Sequence, residues 1–362
     1  MIKIRFISRG FLIAIFLISC SQRPELAEEE IPTDLPKFTI LHGDGKVFDG
    51  YIFLRRLENP GVQFMINYKG KVVWYQRSDT TIAREFMPYK ESYLTLYNDK
   101  ELHEITYSGD TLLKLRYGVG GFDRTLHHEV IMDRQNRIVA LTKDSLSYDL
   151  SRFGGNESDT LITDGIIVLS REGQKLWYWT FAKVLDTLSH VDENIFQIKN
   201  DWVHANSIFE DKDGNYLVSW RDLNQIWKIN SQTGDVMWKF DGTQPNNDER
   251  GFKAQHSIHL NLDGDYMVFD NGPDNFKFFS RAVAFNLTSD GFRNTLVINL
   301  PDSVFTNKEG SVYQFTEDKF LFCVSRTNDL IITNREGQIL WHAKADVGFY
   351  RAYYLDKSVL DR

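Results

Sequence analysis

From Phe38 onward, apolar and polar residues alternate in short runs cut by Gly, Asn and Asp, and no ten-residue stretch carries a helical period. Side chains alternate across a strand, so this pattern predicts an all-β chain. Two elements recur along it. The first is a turn followed by a strand, often with an aromatic in its second half, in six copies that begin at Tyr68, Tyr107, Arg171, Gln232, Ser289 and Arg335. The second is a tight turn and strand in five copies, KESYLTLYN from Lys90, RQNRIVALT from Arg134, DGNYLVSWR from Asp213, DGDYMVFDN from Asp263 and EDKFLFCVS from Glu317.

The two elements interleave at a period of about 40 to 65 residues, which suits a four-stranded blade with loop insertions. The expected fold is a six-bladed β-propeller over residues 38–362, with a β-sandwich as the competing all-β architecture. The turn glycines fit positions of positive φ, and the Trp or Tyr that follows is placed to cover a neighbouring sheet. The longer gaps, Lys143 to Thr163 and Phe181 to Asp201, are expected to be loops on one face, where function concentrates.

The N-terminus has its own pattern. Lys3, Arg5 and Arg9 precede the apolar run Phe11 to Ile18, then Ser19 and Cys20. This reads as a secretory signal over 1–19, too short for the roughly 20 apolar residues of a spanning helix. Leu17, Ile18, Ser19 and Cys20 resemble a bacterial lipobox, which implies lipidation of Cys20 and a lipid-anchored protein of the cell envelope. Ser21 leans the anchor towards the outer membrane, facing the periplasm or the cell surface. Residues 20–37, rich in Glu and Pro, are expected to be a solvated tether. With Cys20 lipidated, Cys323 has no partner, so the core must hold the fold without an internal disulfide. A net charge of −8 and the lack of a Lys/Arg block argue against nucleic-acid binding and leave any anion site local.

Aligning the second elements on their turns brings out the candidate chemistry. His128 stands ten residues before Ile138 and His256 ten before Tyr266, while His204 precedes Tyr216 by twelve. Three nearby blades thus begin an equivalent strand with a histidine, and such positions gather at one end of a propeller channel. His127 competes with His128, because a one-residue slip exchanges their faces. Arg221 closes the strand beside His204, and its fork of donors suits a tetrahedral oxyanion. Three imidazoles also suit Zn²⁺ with an open position. The charge of Arg221 and the absence of an in-register Asp or Glu favour the anion, so neither metal nor cofactor is expected. His103, His190, His259 and His342 share no such register and are expected to be structural.

The segments LHHEV from Leu126, VHANSIFEDKDGNYLVSWRD from Val203, TGDVMWKFDG from Thr233, AQHSIHLNLDGDYMVFDNG from Ala254 and SRAVAF from Ser280 resemble bacterial arylsulfotransferases. The likeness runs from about Phe48 to Arg351 and is strongest between Val203 and Phe285. It implies a sulfotransferase that moves a sulfuryl group from an aryl sulfate to a phenolic acceptor, through a transiently sulfated His256 and without a nucleotide sulfate donor. The chain accordingly shows no Gly-rich phosphate-cradling loop. By the same resemblance His204 moves the phenolic proton, while Arg221 and His128 hold the sulfuryl oxygens. Asn206, Asn271 and Arg281, with Asp270, lie in the matching segments, and the first three are candidate substrate-binding residues. Trp220, Phe252 and Phe276 are candidates for stacking on an aryl ring. Well-known members carry an N-terminal β-sandwich and a disulfide that this chain lacks, which leaves oligomeric state and acceptor, including polysaccharide or peptide acceptors, open. A non-catalytic propeller binding sulfated or phenolic ligands is the competing function.

Overall fold

The computed structural model describes residues 31–43, 45–56, 61–77, 85–151, 155–187, 201–243, 251–274, 277–289 and 291–360. They form a six-bladed β-propeller. Blade two is built from Phe86–Tyr89, Ser92–Asn98, Glu101–Thr106 and Thr111–Arg116. Blade three has Thr125–Met132, Ile138–Tyr148, Asp159–Leu169 and Lys175–Thr180. Ala205–Glu210, Tyr216–Trp220, Gln225–Ile229 and Val236–Asp241 make blade four. His256–Leu260, Tyr266–Asp270, Arg281–Thr288 and Gly291–Asn299 make blade five, beside a small ribbon of Pro273–Asp274 with Lys277–Phe278. In each blade all neighbouring strands are antiparallel.

Blades one and six close the ring with both ends of the described chain. Gly50–Arg56, Val62–Ile66 and Val72–Arg77 take the C-terminal strand Phe349–Asp356 as their innermost member. Ser311–Thr316, Lys319–Val324, Asp329–Thr333 and Ile339–Ala345 take Phe38–His42 as a fifth, outermost strand. This explains the unequal repeat counts. All six copies of the first element are the hairpin into a blade's outermost main strand. The second element is the turn out of the innermost strand, and blade one has none because its innermost strand arrives from the far end of the chain.

The aromatics act between blades. Trp74 donates to the Tyr107 carbonyl at 2.8 Å, Trp179 to that of Gly234 at 2.8 Å and Trp341 to that of Tyr68 at 2.7 Å. Each indole thus ties one blade's outer strand to the corresponding turn of a neighbour. On the inner turns, the Tyr266 hydroxyl donates to Asp211 at 3.0 Å, joining blade five to blade four. Burial of these rings adds to each tie at about 25 cal/mol per Å² of apolar surface removed from water. Cys323 is buried and unpaired.

Two expected loops are corrected in part. Lys143 to Tyr148 and Asp159 to Thr163 extend a long hairpin of eleven-residue strands, and Phe181–Thr187 is a 3-10 helix. Alternation continues through Leu146 and Leu161, so these segments pair as strands. No helix among the described residues is long and apolar enough to cross a membrane. The signal segment, Cys20 and most of the expected tether lie outside the described residues, as do His190 and Phe276.

Candidate active site

Inner strands in a propeller crowd around the channel, and here they are interrupted where the histidines stand. The ladders of blades three, four and five each slip between Ala140 and Leu141, Ala205 and Ser207, and His256 and His259. Such bulges re-aim side chains. His128 and His204 have φ of 53° and 47°, and Ala254 and Ser257 have 48° and 54°. Left-handed backbone is uncommon outside glycine and clusters at functional sites.

The bulges alter the expected register. His256 pairs with Phe269 and His127 with Leu141, and these partners hold the same place after their turns. His127 is therefore the ladder counterpart of His256, and the equal sequence offset of His128 does not mark one ladder position. His204 lies a step further out, its carbonyl accepting from the Arg221 amide at 3.0 Å. His128 nonetheless reaches the site, because the bulge turns its ring edge-on to His204, centroids 4.8 Å apart. His127 turns into the blade, where Nε2 lies 3.0 Å from the Thr142 carbonyl and 3.2 Å from Asp164.

Hydrogen bonds assign the tautomers. His256 Nδ1 is 2.7 Å from Asn271 Oδ1 and 3.1 Å from the Ala254 carbonyl, so Nδ1 carries the hydrogen. Its Nε2 lone pair accepts the Glu309 backbone N–H at 3.1 Å. His204 Nδ1 is 2.5 Å from Asp201 Oδ2, and Lys143 Nζ is 2.9 Å from Asp201 Oδ1. His127 donates from Nε2, so the hydrogen in its 2.7 Å Nδ1 to Nδ1 contact belongs to His128, whose Nε2 is left with its lone pair.

Burial, with Arg221 next, holds His256 well below the usual imidazole range, against the opposing bond to Asn271. Burial, then the charges of His127, His204 and His256, does the same to His128. Both rings are neutral at physiological pH. Burial pushes the Asp201 carboxyl up, but His204 and Lys143 outweigh it and hold the group well below the carboxylate range.

Arg221 donates to Asp222 and, at 3.2 Å, to the Asn307 carbonyl. Asn271 Nδ2 donates to the Thr306 and Glu309 carbonyls at 3.1 and 2.7 Å, which makes Asn271 the support of His256. Asn206 is fully buried and donates to the Gln255 carbonyl at 2.7 Å. Arg281 donates to Asp270 at 2.8 Å and to the Gly251 carbonyl at 2.9 Å. Two aryl-stacking candidates are corrected. Trp220 packs against Trp227 and Phe181, and Phe252 against Phe240 and Phe285, all in the core. His103, His259 and His342 stand apart from the cluster, on Glu101, the Ser257 carbonyl and Asp329.

Two further elements were not foreseen. Asp201 had a signal, an acidic residue three positions before a site histidine. Tyr350, whose ring lies 6.2 Å from that of His128 and 6.1 Å from that of His256, had none, since ring closure delivers it. Among the described residues, no group of three or more His, Cys, Asp or Glu is placed to hold a metal ion.

Fold and site together define a β-propeller whose neighbouring blades three, four and five gather His128, His204 and His256 beside the Arg221 guanidinium. The sequence matches the family model for Arylsulfotransferase (ASST) over residues 39–285, more than half of the chain, and the protein belongs to that family. The match ends within blade five, so the four main strands of blade six and the C-terminal strand lie beyond it. A protein of unknown function from Bacteroides caccae shares the fold, with a TM-score of 0.55 at 13% identity over 85% of this chain and 99% of that one. A streptogramin B lyase gives a TM-score of 0.47 at 11% identity, over 84% and 87% of the two chains. No curated protein matches the chain.

Proposed function

We propose that this protein transfers a sulfuryl group from an aryl sulfate to a phenolic acceptor in two half reactions through a sulfated His256. The observation that carries the proposal is the locked tautomer of His256. Asn271 holds the Nδ1 hydrogen, so a neutral ring keeps a lone pair on Nε2, which the Glu309 amide meets in this state, beside the charge of Arg221. Membership in the arylsulfotransferase family supports the reaction class.

Nε2 attacks sulfur as the S–O bond to the aryl group breaks, and the phenolate leaves with a proton from His204. In the second half, an incoming phenol gives its proton to His204 and its oxygen attacks sulfur, releasing His256. By analogy with phosphoryl transfer the transition state is loose, with charge on the peripheral oxygens, so a positioned guanidinium is the main aid. Asp201 holds the Nδ1–H of His204 and stabilises its imidazolium form, whose Nε2 gives its proton to the departing phenolate and takes one back from the incoming phenol. His128, whose Nε2 holds a lone pair, is better suited to accept a proton than to hold a sulfuryl oxygen as neutral imidazole. Arg221 then carries the anion.

The reading of Cys20 as a lipid anchor that holds the propeller in the cell envelope remains part of this proposal. Its test is metabolic labelling with a fatty acid, comparing wild type with Cys20→Ser. For the reaction, aryl sulfate is supplied with and without a phenol and a chelator. Release that needs the phenol, ignores the chelator and disappears in His256→Ala is expected. Undiminished turnover in His256→Ala would overturn the nucleophile, and tight ligand binding without turnover would favour a receptor.

A further inference from the structure

Between blades five and six the chain crosses the site as Thr306 to Gly310, beyond the residues that match the family. Asn271 grips the Thr306 and Glu309 carbonyls, and the Thr306 amide donates to Ser280 Oγ at 3.0 Å. The Gly310 amide donates to the Tyr350 carbonyl at 3.1 Å. Arg221 donates to the Asn307 carbonyl at 3.2 Å, and Arg326 approaches Asn307 Oδ1 at 3.4 Å. Its tightest consequence is at His256, whose Nε2 takes the Glu309 N–H at 3.1 Å.

We propose that this segment is a resident cap that fills the sulfuryl position, and that substrate must displace it. The inference rests on His256 as the nucleophile. A near-attack arrangement places reacting atoms roughly 3–3.5 Å apart along the lone pair. The Glu309 nitrogen already stands there, and a sulfur atom cannot share the place. The Asn307 carbonyl oxygen meanwhile occupies Arg221 as a sulfuryl oxygen would. An aryl sulfate therefore exchanges like for like at Arg221, oxygen for oxygen, and frees the lone pair at His256. The closed state is set to yield. Glu309 has φ of 59°, a conformation that non-glycine residues adopt at a cost, and Gly310 follows at 94°. Closed, the cap keeps the imidazole from small electrophiles; displaced, it returns the lone pair to a substrate large enough to move it.

Diethyl pyrocarbonate acylates an imidazole nitrogen with a free lone pair, so its rate at each histidine, read by peptide mass mapping, reports capping without any transferase activity. The exposed His42 serves as internal reference. In wild type, His256 is expected to react far more slowly than His42. Glu309→Val puts a β-branched residue at a left-handed position, and Asn307→Ala removes the Arg326 contact. Each should speed modification of His256 several-fold, for Glu309→Val through the additional cost of a β-branched residue in that backbone region, and leave His42 unchanged. Circular dichroism confirms folding, and Arg326→Ala replaces any variant that fails to fold. Modification of His256 as fast as His42 in wild type, or unchanged rates in the folded variants, overturns the cap. A chain inactive towards aryl sulfates that still shows slow wild-type and faster variant modification overturns the sulfotransferase reading alone.

Discussion

His204 Nδ1 lies 2.5 Å from the Asp201 carboxylate, whose other oxygen takes Lys143 at 2.9 Å. The carboxylate makes His204 a directional proton carrier, with one nitrogen spent and the other free. Asp201→Asn keeps the shape but loses the charge. General acid–base assistance contributes roughly 10²–10⁴-fold, and loss of its orienting group should remove about 10–100-fold of it. The loss should grow with the pKa of the phenol, measured as kcat/KM over substituted phenols. A deficit that is flat across the series would remove Asp201 from proton transfer.

Arg351 is almost fully buried and pairs with Glu129, while its other nitrogen donates to the Asn206 carbonyl at 2.9 Å. The pair crosses the channel, tying the C-terminal strand to blades three and four. Removing one partner leaves a buried charge, so Arg351→Ala should cost about 3–5 kcal/mol. The double replacement Glu129→Gln with Arg351→Met should cost less than Arg351→Ala alone. Urea denaturation of the three proteins measures the order.

His259 is buried on the Ser257 carbonyl, and burial pulls its ring down to about 4. The unfolded chain binds this proton from about pH 6.5, the folded chain only near 4. Stability from this residue is thus full above pH 6.5 and falls as pH drops towards 4, by up to about 3 kcal/mol. His128 and His256 act in the same sense, while Glu85 and Glu129, raised by burial, act oppositely as pH rises. His259→Asn isolates one contribution. The difference in melting temperature between pH 7 and pH 4.5 should shrink in that variant; an equal difference would refute the assignment.

Trp341 is fully buried and bonded to Tyr68 across the seam between blades six and one, whereas Trp74 is only half-buried. Trp341→Ala should cost about 3–5 kcal/mol, and Trp74→Ala less. Thermal melts of the two variants test whether the seam depends on burial.

Much of the fold was legible because its signals are local. The turn glycine and following aromatic recur at Tyr68, Tyr107, Arg171, Gln232, Ser289 and Arg335, and each marks a hairpin whose geometry a few neighbouring residues dictate. At the site the same locality failed in an instructive way. Counting residues aligned His128 with His256, but bulges insert residues without leaving a composition signal, and the ladder counterpart of His256 is His127. Asn271, a candidate substrate-binding residue, holds the His256 tautomer, a role that its place in the sequence does not signal. Trp220 and Phe252 were expected at the channel mouth, but they pack into the hydrophobic core, Trp220 with Trp227 and Phe181 and Phe252 with Phe240 and Phe285, and which face a neighbour covers is not written in the local pattern.

By itself, the sequence determined the β character, the blade count and the family, together with His128, His204, His256 and Arg221 as the cluster to examine. Periodicity and turn chemistry act over a few residues, so they survive in one dimension. Only the tertiary structure decided which imidazole nitrogen carries the lone pair, that Asp201 orients His204, and that Glu309 reaches His256 from the connection between blades five and six and Tyr350 from the C-terminal strand. The Tyr350 contact depends on where a ring of six blades shuts, which brings together residues as far apart as Trp341 and Tyr68, 273 positions along the chain, and no local pattern encodes that distance.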